Sequence, residues 1–178
     1  VYAKRLRDMI CNEVNAADYE RPLSGYKIIV DAGNGVGGFY ATEVLEKLGA
    51  DITGSQFLEP DGMFPNHAPN PENEEAMKSI SNAVIKNHAD LGVIFDTDVD
   101  RASCVDENGT EINRNRLVAL ASIIALEGNE GGTIVTDSVT STGLTDFINN
   151  FLGGVHYRYK RGYRNVINEQ LRLNREGI

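Results

Sequence analysis

A chain of 178 residues holds one large domain or two small ones, and 41% hydrophobic against 24% charged residues supports a buried core and argues against disorder. Seventeen basic residues against 26 acidic ones leave a formal net charge of −9. That balance argues against non-specific binding to nucleic acid or an anionic membrane, which needs cations to neutralise phosphates, but a few arginines can still converge on a small anion. Cys11 and Cys104 lie far apart without CxxC spacing. Neither a disulfide framework nor a zinc site is expected, and a reducing compartment fits best. No apolar run approaches the roughly 20 residues of a membrane span, and the N-terminus does not resemble a signal peptide. The start at Val1 and the end at Ile178, just after a helical pattern, suggest a piece of something longer.

In chain order, Tyr2, Leu6, Met9, Ile10 and Val14 recur at helical spacing. After Pro22, Ser24 and Gly25, residues 27–31 read as a short buried strand, and Gly33 to Gly38 as a glycine-rich turn. Val36, Tyr40, Val44 and Leu48 then step along one helical face that Gly49 stops. Residues 51–57 are a weaker strand. The stretch 59–73 carries four prolines and several asparagines, a loop long enough to suggest a function. Asn73 caps a helix with Met77, Ile80, Val84 and Ile85. Residues 91–95 form a buried strand that runs into Asp96-Thr-Asp-Val-Asp-Arg101, and Asn108-Gly109 marks a hairpin between 102–106 and 110–112. A helix over about 114–126 is apolar nearly all round and is expected to be buried. Gly128 to Gly132 is the expected domain boundary. Beyond it come a strand at 133–136, a helix with Leu144, Phe147, Ile148 and Phe151, a strand at 155–159, the loop 160–162 and a last helix with Val166, Ile167 and Leu171.

Three signals compete for the chemistry. Residues 33–38, GNGVGG, satisfy GxGxxG after a strand, but dinucleotide binding also wants an acidic residue near the end of the next strand. Asp51 stands at that strand's start and Glu59 well past its end, so a turn that packs a helix against a strand is the better reading. Asp96, Asp98 and Asp100 repel one another unless a cation offsets them, and Arg101 offsets one charge at most. A hard dication such as Mg²⁺ offsets more. The spacing also imitates a calcium loop with Glu107 at the twelfth position, but Arg101 occupies the sixth, where the turn needs glycine, and a strand precedes the loop. The third signal is Arg158, Lys160, Arg161 and Arg164 around Gly162, which can hold a phosphate or form a solvated basic face.

Strand-DxDxV resembles the first motif of haloacid-dehalogenase-type phosphatases, with Asp96 as nucleophile and Asp98 as acid/base. The later lysine and paired-aspartate motifs of that family have no clear match. Four stretches in order resemble instead the α-D-phosphohexomutases (phosphoglucomutase/phosphomannomutase). Residues 30–38 are similar to the opening strand and turn of that family's second domain, and 60–71, PDGMFPNHAPNP, to its proline-rich loop. Asp96 to Arg101 fall at its D-G-D-x-D-R metal loop, and Lys160-Arg-Gly-Tyr-Arg164 at its sugar-phosphate loop.

The resemblance implies an α/β fold of two consecutive α/β units, with mixed sheets flanked by helices and the second unit truncated. Residues 1–130 would be the second domain and 131–178 the first part of the third. It implies a fragment of a Mg²⁺-dependent enzyme interconverting hexose 1-phosphate and hexose 6-phosphate through a phosphoserine outside this chain. Asp96, Asp98 and Asp100 would hold Mg²⁺, and Arg101 would be the catalytic residue that steadies the phosphoryl group. Lys160, Gly162, Tyr163 and Arg164 would contact the substrate. Expected partners are the hexose phosphate and the enzyme's remaining domains, with no nucleic acid or membrane. The expected location is the cytoplasm, or a plastid if the source is a plant. The phosphatase and a non-catalytic sugar-phosphate-binding homologue remain the alternatives. Thr97 stands where the family commonly has glycine, and a β-branched residue resists positive φ, so a somewhat different loop path is expected.

Overall fold

The computed structural model describes all residues, 1–178. The chain divides into two compact units, Val1–Ile112 and Asn113–Ile178.

In the first unit, helix α1 (Tyr2–Val14) precedes strand β1 (Ile28–Asp31), whose four residues are all buried. A helical segment of uneven winding follows, tight at Val36–Gly38 and Glu46–Leu48 and wide at Tyr40–Leu45. After the proline-rich loop comes α2 (Glu74–Asn87), where the Asn73 side chain accepts from the N–H groups of Glu75 and Ala76. Strands β2 (Leu91–Phe95), β3 (Ala102–Asp106) and β4 (Glu111–Ile112) complete a sheet of order β1-β2-β3-β4. β1 and β2 are parallel and the other two pairings antiparallel. The expected strand at 51–57 is reduced to isolated bridges, Lys27 with Asp51 and Asp31 with Gln56.

Side chains alternate across a strand, and this sheet uses both faces. Ile29, Ile94 and Val105 pack with Ile80 and Val84 of α2 on one face. Ile28, Val30 and Phe95 pack with Ala41 and Leu45 of the uneven helix on the other. The result is a three-layer unit, with the C-terminal ends of β1 and β2 side by side where the glycine turn and the aspartate loop begin.

The second unit holds α3 (Arg114–Leu126), β5 (Thr133–Asp137), the helix α4 (Thr142–Asp146) continued by a wide turn at Phe147–Phe151, β6 (Val155–Tyr159) and α5 (Tyr163–Glu176). β5 and β6 are parallel, so mixed pairing occurs in the first sheet only. Two expectations change here. The division falls between Ile112 and Asn113 rather than at Gly128–Gly132, because α3 shares a core with the segments that follow it. Val118, Ala119 and Leu126 pack with Leu144 and Ile148, and the Asn115 side chain accepts from the Ser141 N–H at 3.0 Å. Nor is α3 buried all round: one face packs, while Leu120, Ile123 and Ile124 are exposed. No helix of the chain is long and apolar enough to cross a membrane.

Candidate metal centre

Asp96 sits at the end of β2, buried, with Asp98 and Asp100 exposed beyond it. One carboxylate oxygen from each lies within 4.8 Å of the others. The loop is closed at its base: Asp96 N–H donates to the Arg101 carbonyl at 3.1 Å, and Arg101 N–H donates to Asp96 Oδ1 at 3.1 Å. The Arg101 guanidinium folds back, with Nε 2.8 Å from Asp96 Oδ2 and 3.7 Å from Asp100 Oδ1.

The charges are not balanced by that guanidinium. Burial pushes the Asp96 carboxyl up, but the Arg101 N–H and guanidinium outweigh it and hold the group below the usual carboxylate range. Asp100 is pushed up, first by its hydrogen bond with Asp96 and then by the charges of Asp98 and Asp96. Opposite shifts within one loop are what crowded carboxylates produce when one cation serves three anions. The donor set is all hard oxygen, with two of the three side chains open to solvent, and this fits a dication such as Mg²⁺ with positions left for other oxygen ligands.

Thr97 does not take the left-handed conformation. Val99 does, at φ 66°. The loop therefore reverses one pair of residues later than the glycine of the D-G-D pattern suggests, and a β-branched residue bears the strain.

The glycine turn lies against this loop, and its first four amides are engaged within the protein. The N–H groups of Gly33, Asn34, Gly35 and Val36 donate respectively to Asp31 Oδ1 at 2.9 Å, the Phe57 carbonyl at 2.9 Å, the Ala32 carbonyl at 2.7 Å and the Thr97 carbonyl at 3.0 Å. A pyrophosphate would have to break these bonds. The packing reading is right, with the aspartate loop itself among the things packed.

The proline-rich loop contributes residues that the sequence did not single out. Asp31 and His67 form a buried pair, and Asn70 Oδ1 accepts from Arg101 at 3.4 Å. The available signal was a charged residue ending an otherwise apolar strand, with a lone histidine in the loop that follows.

In the second unit, Lys160, Gly162, Tyr163 and Arg164 lie together and exposed at the start of α5. Gly162 precedes the helix at φ 113°, a conformation that a side chain would oppose. Lys160 lies over the Tyr159 ring at 5.9 Å and Arg164 over the Tyr163 ring at 6.0 Å. Arg158 is engaged elsewhere, donating to the Thr140 carbonyl at 3.2 Å.

The sequence and fold match known proteins. Residues 2–109 match the family described as phosphoglucomutase/phosphomannomutase, alpha/beta/alpha domain II. The phosphomannomutase/phosphoglucomutase of Pseudomonas aeruginosa strain PAO1 is 35% identical over 162 residues, which is 91% of this chain and 32% of that protein. The chain thus spans about a third of the length of that curated relative. A phosphoglucomutase/phosphomannomutase family protein from Burkholderia thailandensis superposes with a TM-score of 0.76 at 28% identity, covering 94% of this chain and 35% of that one. N-acetylphosphoglucosamine mutase of Aspergillus fumigatus, solved with GlcNAc-6P and magnesium, shares the fold with a TM-score of 0.64 at 18% identity, over 96% of this chain and 36% of that one. The three-layer unit, its aspartate loop and these matches together establish that the chain belongs to the phosphoglucomutase/phosphomannomutase family, most of its first unit being that family's domain II.

Proposed function

We propose that the chain carries the cation site, and part of the substrate site, of a Mg²⁺-dependent phosphohexomutase that interconverts hexose 1-phosphate and hexose 6-phosphate. The phosphoryl group would travel on a phosphoserine supplied from outside residues 1–178. The observation that carries this reading is the convergence of the Asp96, Asp98 and Asp100 oxygens within 4.8 Å beside a strand end in a domain II fold.

Asp96, Asp98 and Asp100 would hold the ion, with Asp96 already fixed by two bonds from Arg101. When bound, Mg²⁺ supplies charge withdrawal at the phosphoryl oxygens, where phosphoryl transfer needs it. Arg101, more than half exposed, keeps the N–H groups not bonded to Asp96 or Asn70 available to steady the transferring group. Lys160 and Arg164 offer point and forked cations to a sugar phosphate, helped by the N–H groups that open α5, and Tyr163 offers a hydroxyl to the sugar. Residues 131–178 would then be the first part of the third domain, and the enzyme's other domains the partners of this chain. Two free cysteines suit a cytoplasmic or plastid enzyme.

The test is turnover by the complete protein with glucose 1-phosphate and mannose 1-phosphate in Mg²⁺. The expected result is formation of the 6-phosphate, lost in Asp98→Asn. Release of inorganic phosphate with no isomerisation would mean that a phosphatase reading is correct.

A further inference from the structure

The aspartate loop is held from both ends and from one side. Its base is pinned by the two backbone-directed bonds between Asp96 and Arg101. Its flank is pinned at Thr97, whose carbonyl accepts from Val36 N–H at 3.0 Å. Gly35 makes that approach possible: a Cβ there would stand 2.7 Å from the Thr97 oxygen and 2.9 Å from its Cα. Those atoms are backbone and cannot swing aside. With Thr97 fixed, the reversal is made at Val99, at φ 66°. The Val99 side chain is half-buried and packs against the core cluster of Val30, Ala41 and Phe95. A conformation costly for a β-branched residue is therefore over-determined by its surroundings, which is where such strain accumulates.

Resting on the metal reading above, we propose that Gly35 and Val99 are the positioning residues of the cation site. Gly35 sets where Thr97 lies, and Val99, packed against the core, makes the left-handed turn that brings Asp100 back beside Asp96 and Asp98. Neither touches the ion.

The experiment measures Mn²⁺ affinity of the 178-residue chain by electron paramagnetic resonance of the free ion, with circular dichroism to check folding. The variants are Val99→Ala, Val99→Gly and Gly35→Ala. Alanine keeps the penalty for positive φ and loses the wedge, so Val99→Ala is expected to bind about tenfold more weakly. Glycine takes positive φ freely, so Val99→Gly is expected to bind more tightly than Val99→Ala although it removes more packing. A residue valued for packing alone cannot give that order. Gly35→Ala is expected to bind about tenfold more weakly while folded, and if it does not fold, the Val99 pair decides. Val99→Gly binding no better than Val99→Ala, or folded Gly35→Ala binding as wild type, overturns the proposal and leaves the metal reading intact. Wild type that takes up no Mn²⁺ overturns both.

Discussion

His67 Nε2 lies 3.0 Å from each carboxylate oxygen of Asp31, and both side chains are buried. The other ring nitrogen faces the Ala68 carbonyl at 2.9 Å. This pair ties the proline-rich loop to the end of β1, beside the glycine turn that supports the aspartate loop. Removing the imidazole takes one hydrogen bond from a buried carboxylate, which typically costs about 1.5–3 kcal/mol. The Gly33 N–H and the Gln56 amide still donate to Asp31, so the lower end is expected. His67→Ala should lose about 1.5–2 kcal/mol in urea unfolding. The double variant with Asp31→Asn should lose less than the two single losses added together. Additive losses would show that the pair is not energetically coupled.

Asp98→Asn separates a cation site from a structural turn. The substitution relieves carboxylate repulsion, so metal-free thermal stability should hold level or rise slightly. The stabilisation by millimolar Mg²⁺ or Mn²⁺ should shrink, because an amide oxygen can coordinate but brings no charge. A mutant less stable without metal, with neither protein responding to the ions, would identify a structural aspartate instead.

His156 should make the second unit sensitive to mild acid. Its Nε2 lies 2.7 Å from Thr136 Oγ1 and its Nδ1 2.8 Å from Thr145 Oγ1. Burial first, and the Arg158 charge second, hold its pKa below the ordinary histidine value of 6.5. The unfolded chain therefore takes up this proton before the folded one does. The contribution is full above about pH 6.5 and is lost as pH falls from there through the folded value. Urea unfolding monitored near Tyr157 should show stability falling over that window, and His156→Gln should flatten it. An unchanged slope in the variant would place the acid sensitivity on other groups.

The 178-residue chain alone should not interconvert glucose 1-phosphate and glucose 6-phosphate, with or without a bisphosphate activator. Positioning a cation cannot replace a nucleophile that the chain does not supply. Mg²⁺-dependent interconversion by the pure chain would place the phosphoryl carrier within residues 1–178.

Local chemistry made much of this protein legible before any tertiary contact was known. Asn73 announces α2 because its side chain satisfies the first free N–H groups of that helix. Asn108-Gly109 announces the β3–β4 hairpin because Gly109 accepts φ 72°. Three aspartates on alternate residues after an apolar strand announce a loop of crowded carboxylates, and their oxygens do lie within 4.8 Å of one another. The same kind of reading favoured a packing role for the glycine turn, and its engaged N–H groups agree.

Other features belong to residues far apart in the chain, which no local pattern can report. Asp31 and His67 are 36 positions apart, and their burial together depends on where the proline-rich loop lands. Positive φ in the aspartate loop falls at Val99, while the Thr97 carbonyl accepts from Val36 N–H across the sheet end, an approach that Gly35 leaves room for. For α3, an apolar circumference specified a helix but not which face would be covered. Only its packing on Leu144 and Ile148 drew the helix into the second unit and left Leu120, Ile123 and Ile124 in solvent. Periodicity and capping act over a few residues and are written in order along the chain. Steric contact and burial act between surfaces, and those exist only once the chain has folded.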